Sequence, residues 1–197
     1  MIGALPETLN VGGRDYPIRS DFRNILQIYE AFNDPELERG EAWLVAICLM
    51  FEDFSCVDDV EEAAWDGFDV NEAAKQISWF ISMGGESKKD RELPVYDWVQ
   101  DEQMIFPAVN KIAGEEVRET GYMHWWTLCG YLNGVGKDDM WTFVVGIRDK
   151  HNRGQKLEKH EQAFYNKNKD LVDLKPRKSK EELEYEAEYK EIWKGLV

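Results

Sequence analysis

The chain has only three cysteines and three histidines, and neither set shows the spacing that metal binding or thiol chemistry needs. Cys48, Cys56 and Cys129 form no CxxC pair and are odd in number. With Cys48 and Cys129 inside apolar runs, they read as buried free thiols in a reducing compartment. His124, His151 and His160 share no ligand spacing with each other or with a cysteine, and HExxH is missing, which disfavours zinc. Gly134-Val135-Gly136 lacks the third glycine and the preceding strand of a dinucleotide turn; neither a GxxxxGKS/T phosphate loop nor a GxSxG elbow occurs. The carboxylates Asp58-Asp59, Glu61-Glu62, Glu115-Glu116 and Asp138-Asp139 come as adjacent pairs, which point in different directions on a helix or turn. No catalytic residue, cofactor or metal is expected, and the acidic pairs read as solvated faces.

Long hydrophobic runs are missing too. The longest, Ala42 to Phe51, is bounded by Glu41 and Glu52 and is too short to span a bilayer, and no basic-then-apolar secretion signal opens the chain. The expected location is the cytoplasm of the cell that makes the protein. Positive charge is scarce, with 24 basic against 39 acidic residues and a net charge of −15. Such a field repels phosphate and anionic lipid within a Debye length, so neither nucleic acid nor membrane is an expected partner. The imbalance is uneven: residues 148–180 hold eleven Lys/Arg against five Asp/Glu, a net +6 that leaves −21 on the rest. A basic segment on an acidic body suits an acidic protein partner or head-to-tail self-association into a homo-oligomer; the alternative is a solvated helix face.

What is abundant is apolar and aromatic area. The apolar share is 43%, and eight Trp, eight Tyr and nine Phe supply large buried surface per side chain, which argues for a folded core. The pattern predicts a mainly α-helical bundle with a small N-terminal β-hairpin and a C-terminal amphipathic helix. Residues 1–19 carry the hairpin, two β-capable runs around Gly12-Gly13, with Pro17 limiting the second strand to an edge or an end. A helical group is expected over 20–83: a helix from Asp21 to Phe32 capped by Ser20, a second opened by Pro35 and running through 42–51, and further helices over 57–66 and 69–83. Residues 84–94, with Gly at the start, Pro at the end and charge between, form the expected linker. A second helical group over 95–174 follows, with segments near 96–112, 122–133, 138–151 and 156–170. Pro107 should kink or break the first of these near 103–106, and 122–133 reads as a central buried helix. Residues 175–197 form a basic hinge and a last helix, with Ser179 and Glu182 as its capping box.

Aromatic residues on helices are the candidate protein-binding groups. Tyr185, Tyr189, Ile192, Trp193 and Leu196 make one stripe on the last helix, which either folds back on the domain or docks elsewhere. Trp125 and Trp126 complete the candidate set. His124 beside them reads as a packed, hydrogen-bonded structural residue.

Three stretches together carry a family resemblance: Tyr96-Asp97-Trp98-Val99-Gln100-Asp101-Glu102-Gln103-Met104-Ile105-Phe106, then Tyr122-Met123-His124-Trp125-Trp126, then Ile147-Arg148-Asp149-Lys150 with Lys156-Leu157-Glu158-Lys159 and Asn168 to Leu174. Over roughly residues 20–175 the chain resembles the bacteriophage gene-product-fifteen family of siphophages and prophages. The resemblance implies a place in the tail-gene cluster near the tape-measure gene. It also implies a tail assembly chaperone that works in the host cell cytoplasm, with the tape-measure protein and other tail proteins as partners. It carries over no catalytic residue. Two other readings stand beside it: a virion structural protein such as a tail-completion or connector component, and an enzyme of unknown type. A holdase for a long apolar helix needs several weak helical contacts and must itself stay soluble, which the charge of −15 supports.

Overall fold

A computed structural model describes residues 3–85 and 93–185. The protein is mainly helical, with one small antiparallel hairpin. Strands β1 (Thr8–Val11) and β2 (Arg14–Pro17) pair antiparallel, Val11 opposite Arg14. Gly12 and Gly13 sit at φ 61° and 82°. Two consecutive left-handed residues make the turn whose twist suits a two-residue hairpin, and glycine adopts them without a Cβ penalty. Pro17 lies at the end of β2, where its missing N–H costs no ladder bond. Leu9 and Val11 are buried, and the Gly12 N–H donates to Glu72 on the helix against which β1 packs.

Helices α1 to α9 follow, and residues 180–185 are helical as well. Helices α1 (Phe22–Phe32), α2 (Arg39–Met50), α3 (Val57–Trp65) and α4 (Val70–Ile81) form the first group. Asp21, not Ser20, caps α1: its carboxylate accepts from the Arg23 N–H at 2.9 Å, while Ser20 is buried with its hydroxyl 2.8 Å from that of Tyr122. Helix α2 opens at Arg39, beyond Pro35, because Glu38 and Glu41 supply a reciprocal capping box there. Past its C-terminus, Arg19 donates to the carbonyls of Cys48, Phe51, Glu52 and Phe54, satisfying acceptors that the helix end leaves open.

The second group is α5 (Glu102–Ala113), α6 (Trp125–Asn133), α7 (Met140–Asn152), α8 (Lys159–Lys167) and the single turn α9 (Lys169–Val172). The expected helix over 96–112 begins only at Glu102, since Asp97 holds residues 97–101 in a turn by accepting from the N–H groups of Val99 and Gln100. Pro107 remains inside α5 on its exposed side, so the break falls before Glu102 and not at 103–106. Residues 122–124 are not helical; His124 bridges antiparallel to Asp21 and caps α6 with its ring. Of the expected linker 84–94, residues 86–92 lie outside the described residues.

One large buried cluster draws on both helical groups. Phe22, Ile25 and Ile28 of α1, Ile47 and Met50 of α2 and Ile77 and Phe80 of α4 meet Ile105 and Val109 of α5 and Trp125 and Leu128 of α6. A smaller cluster joins Val144, Ile147, Leu157 and Val172. Beside the smaller one lies Arg148, 5% exposed, opposite Asp101, 1% exposed. Its guanidinium meets the Asp101 carboxylate with bonds of 2.6 and 2.9 Å. Its other N–H groups donate to the carbonyls of Val172, Leu171 and Val95. All five donors of the fork are thereby used, the condition under which a charge is kept in an interior.

Candidate protein-interaction site

The expected aromatic candidates separate in the structure. Trp125 is 1% exposed, and its indole N–H donates to the Ile81 carbonyl, so it is a core residue and offers no surface to a partner. Trp126 is half-buried and donates to the Phe80 carbonyl, so the two indoles close the C-terminal end of α4. The structural reading of His124 holds: Nδ1 accepts from the Trp126 N–H, Nε2 lies 3.0 Å from the Pro6 carbonyl, and Phe80 meets the ring edge-on. That pairing places the ring proton on Nε2. Residues 180–185 are helical, with the reciprocal Ser179–Glu182 bonds that the sequence predicts, and Tyr185 is exposed. Tyr189, Ile192, Trp193 and Leu196 lie outside the described residues.

The thiols differ from one another. Cys129 is buried and its thiol is pushed up to about 12 by burial; Cys48 is half-buried and raised for the same reason. Cys56 is exposed, contrary to expectation, because it stands at the N-terminus of α3 as its cap. Among the described residues no group of three His, Cys, Asp or Glu side chains is placed to hold a metal ion, and no helix is long and apolar enough to cross a membrane.

Among the described residues, a concave feature lies between α1, the turn 97–101 and α5. It is a cleft of about 290 Å³ whose apolar lining is Phe22, Leu26, Tyr29, Trp98, Val99 and Phe106. Arg23, Arg118 and Arg177 stand around it, each paired with a carboxylate. Arg23 binds Asp21 and also donates to the Arg118 and Thr120 carbonyls, while its guanidinium lies 4.5 Å from the Phe22 ring centroid. Arg118 meets Glu116 and Glu102 and lies 5.0 Å from the Phe106 ring. The Arg118 hydrogen bond holds the Glu116 carboxyl down at about 2, from an ordinary 4.5, and the same pairing raises Arg118. Arg177 reaches Asp97 at 3.4 Å as residues 175–180 cross the turn; Lys175 exchanges two hydrogen bonds with the Gln100 side chain.

Two polar groups of the lining face apolar surroundings. Burial pushes the Tyr29 phenol above its ordinary range, with Tyr96 and Cys129 adding to the effect. The Trp98 indole N–H pulls Tyr29 the other way without reaching hydrogen-bond geometry, and that nitrogen is buried with no partner. Ring faces and a rim of neutralised charges suit an apolar side chain presented by another protein. No local signal in the sequence marks this cleft, since Arg23, Trp98, Arg118 and Arg177 are brought together only by the fold.

A second, shallower hollow of about 360 Å³ is lined by Trp43, Trp79, Lys75 and Gly85. Trp79 is 40% exposed and lies 5.5 Å from Trp126 between ring centroids.

A family model described as Bacteriophage Gp15 protein matches residues 1–174. No curated protein and no solved structure matches the chain.

Proposed function

Because the chain belongs to the Bacteriophage Gp15 protein family, we propose that it is a non-catalytic tail assembly chaperone that binds the tape-measure protein and keeps it soluble in the host cytoplasm until the tube polymerises. The observation that carries the binding part of this reading is the aromatic cleft between α1 and α5 with its charge-paired rim. An amphipathic helix presents apolar side chains at a spacing of three and four residues, and such a cleft accepts one or two of them. Each Leu or Phe side chain fully buried there contributes roughly 1.5–3 kcal/mol, before the costs of association are subtracted. Contacts of that size are reversible, as a holdase needs. Several copies along one long helix would raise the total without any tight pocket.

Co-expression with the tape-measure protein of the same gene cluster, followed by size-exclusion chromatography, tests the reading. The tape measure should be soluble only with this chain present, and the two should co-elute. Val99→Asp, at a rim position 51% exposed, should weaken capture at least about tenfold while leaving the fold intact. An unaffected tape measure would overturn the chaperone reading. Mass spectrometry of purified virions then decides the competing one: this chain at stoichiometric copy number would make it a tail-completion or connector component.

A further inference from the structure

Helix α3 and the residue that follows it carry five carboxylates and no lysine or arginine. Asp58, Glu61, Glu62 and Trp65 lie three and four residues apart and so form one stripe, while Val60 turns into the core. Trp65 is 90% exposed, with no aromatic or cationic partner among the described residues. The side chains of Asp58, Glu61 and Glu62 likewise make no ion pair or hydrogen bond among the described residues. A single exposed tryptophan is unremarkable on a surface. One set in a row of unpaired carboxylates is a large apolar anchor inside an oriented field, the composition of a binding hot spot.

The same chain carries the complement. Lys159, the first residue of α8, and Lys156, three residues before it, are exposed and form no ion pair among the described residues, within a stretch of net charge +6; Glu158 between them lies 3.5 Å from His160. Helix α3 packs on α2 and α8 on α9, so the two surfaces belong to different parts of the fold. We infer that the α3 stripe of one copy docks on the Lys156–Lys159 face of a second copy. Lysine stems cover the Trp65 ring, and the ammonium groups meet Glu61 and Glu62. Exposed ion pairs alone contribute little, so Trp65 carries the affinity and the charges set orientation. The two surfaces differ, which makes the contact heterologous: each added copy leaves one of each surface open, and the chain grows head to tail or closes into a ring. The net charge of −15 opposes association at low salt, but near physiological ionic strength repulsion between the bodies is screened beyond about 8 Å, and only apposed patches interact. The inference does not depend on the cleft between α1 and α5.

Sedimentation velocity of the full chain across a wide concentration series, at about 0.15 M salt, is the test. Two variants change exposed positions only: W65A/E61K/E62K removes the acidic face, and K156E/K159E removes the basic one. Thermal melting confirms that both stay folded. The wild type should pass beyond dimer as concentration rises, and each variant alone should stay monomeric. A mixture of the two variants should form a one-to-one dimer and nothing larger, because only one intact pair of faces remains. Trp65→Ala alone should weaken association at least about tenfold. A wild type that is monomeric throughout would overturn the inference, as would variants that associate like the wild type, or a mixture that stays monomeric while the wild type associates. A Trp65 variant that loses only the tape-measure protein would reassign this face to that partner.

Discussion

Two clusters of buried side chains hold the described residues together, and their chemistry differs. The larger gathers apolar residues from the hairpin and from α1 to α7, with ring-to-ring contacts such as Tyr29–Trp125 and Phe51–Phe68 throughout. The smaller has Val144, Ile147, Leu157 and Val172 as its buried members; Met104 packs against both clusters, and the Arg148–Asp101 pair lies beside the smaller one. Apolar packing is non-directional and tolerates volume-conserving change. A buried guanidinium that uses all of its donors accepts a single arrangement and tolerates no loss of a partner. Trp141 of α7 is itself part of the large cluster, but α9 has only Val172 to bury, and there the fold relies on the directional bonds of Arg148 and becomes sensitive to one residue.

The largest expected effect is at that residue. Arg148→Met strands a buried carboxylate and should cost about 3–5 kcal/mol in denaturant unfolding, whereas the double change Arg148→Met with Asp101→Leu should recover much of the loss. If the single variant loses under 1 kcal/mol by the same scale, the pair does not organise this region. Next is Leu157→Ala in the small cluster, expected to cost about 2 kcal/mol, against about 3–5 kcal/mol for Trp125→Ala in the large one. Native-state hydrogen exchange sharpens the contrast: amides of α8 and α9 should open at lower free energy than those of α1 and α5, and equal protection would make the two clusters one cooperative unit.

A smaller effect is a pH dependence at the cleft. Glu116 is held near 2 from an ordinary 4.5, so its contribution is fully present above about 4.5 and is lost as pH falls toward 2. Stability of the wild type should therefore fall more steeply across that window than stability of Glu116→Gln, and parallel curves would show that the Arg118 bond does not discriminate folded from unfolded chain. The smallest effect belongs to Trp65→Ala, with under about 0.5 kcal/mol change in unfolding, because nearly all of that side chain is already in water.

Much of the element order was legible because apolar spacing reports it directly. The hairpin around Gly12-Gly13 and the helices of both groups follow from period and capping. Boundaries failed where two signals competed: Asp21 displaced Ser20 as cap, Glu38 displaced Pro35 as the helix opening, and Asp97 delayed α5 to Glu102. Trp125 illustrates a deeper limit. Its neighbours say that it is apolar and helical, but a core ring and an interface ring have the same composition. The cleft was not legible at all, since its arginines act through carboxylates and rings from other elements.

The helical class, the hairpin, the Ser179–Glu182 cap and the family could be read from the chain alone, because each depends on residues close in sequence or on a run of them, whereas the cap at His124 could not. The fold alone sets which aromatic groups are buried, brings Arg148 to Asp101 across 47 residues, and leaves the acidic stripe of α3 without a partner among the described residues. Burial and pairing are properties of what the fold brings alongside a residue, and no local pattern contains the neighbour that arrives from far along the chain.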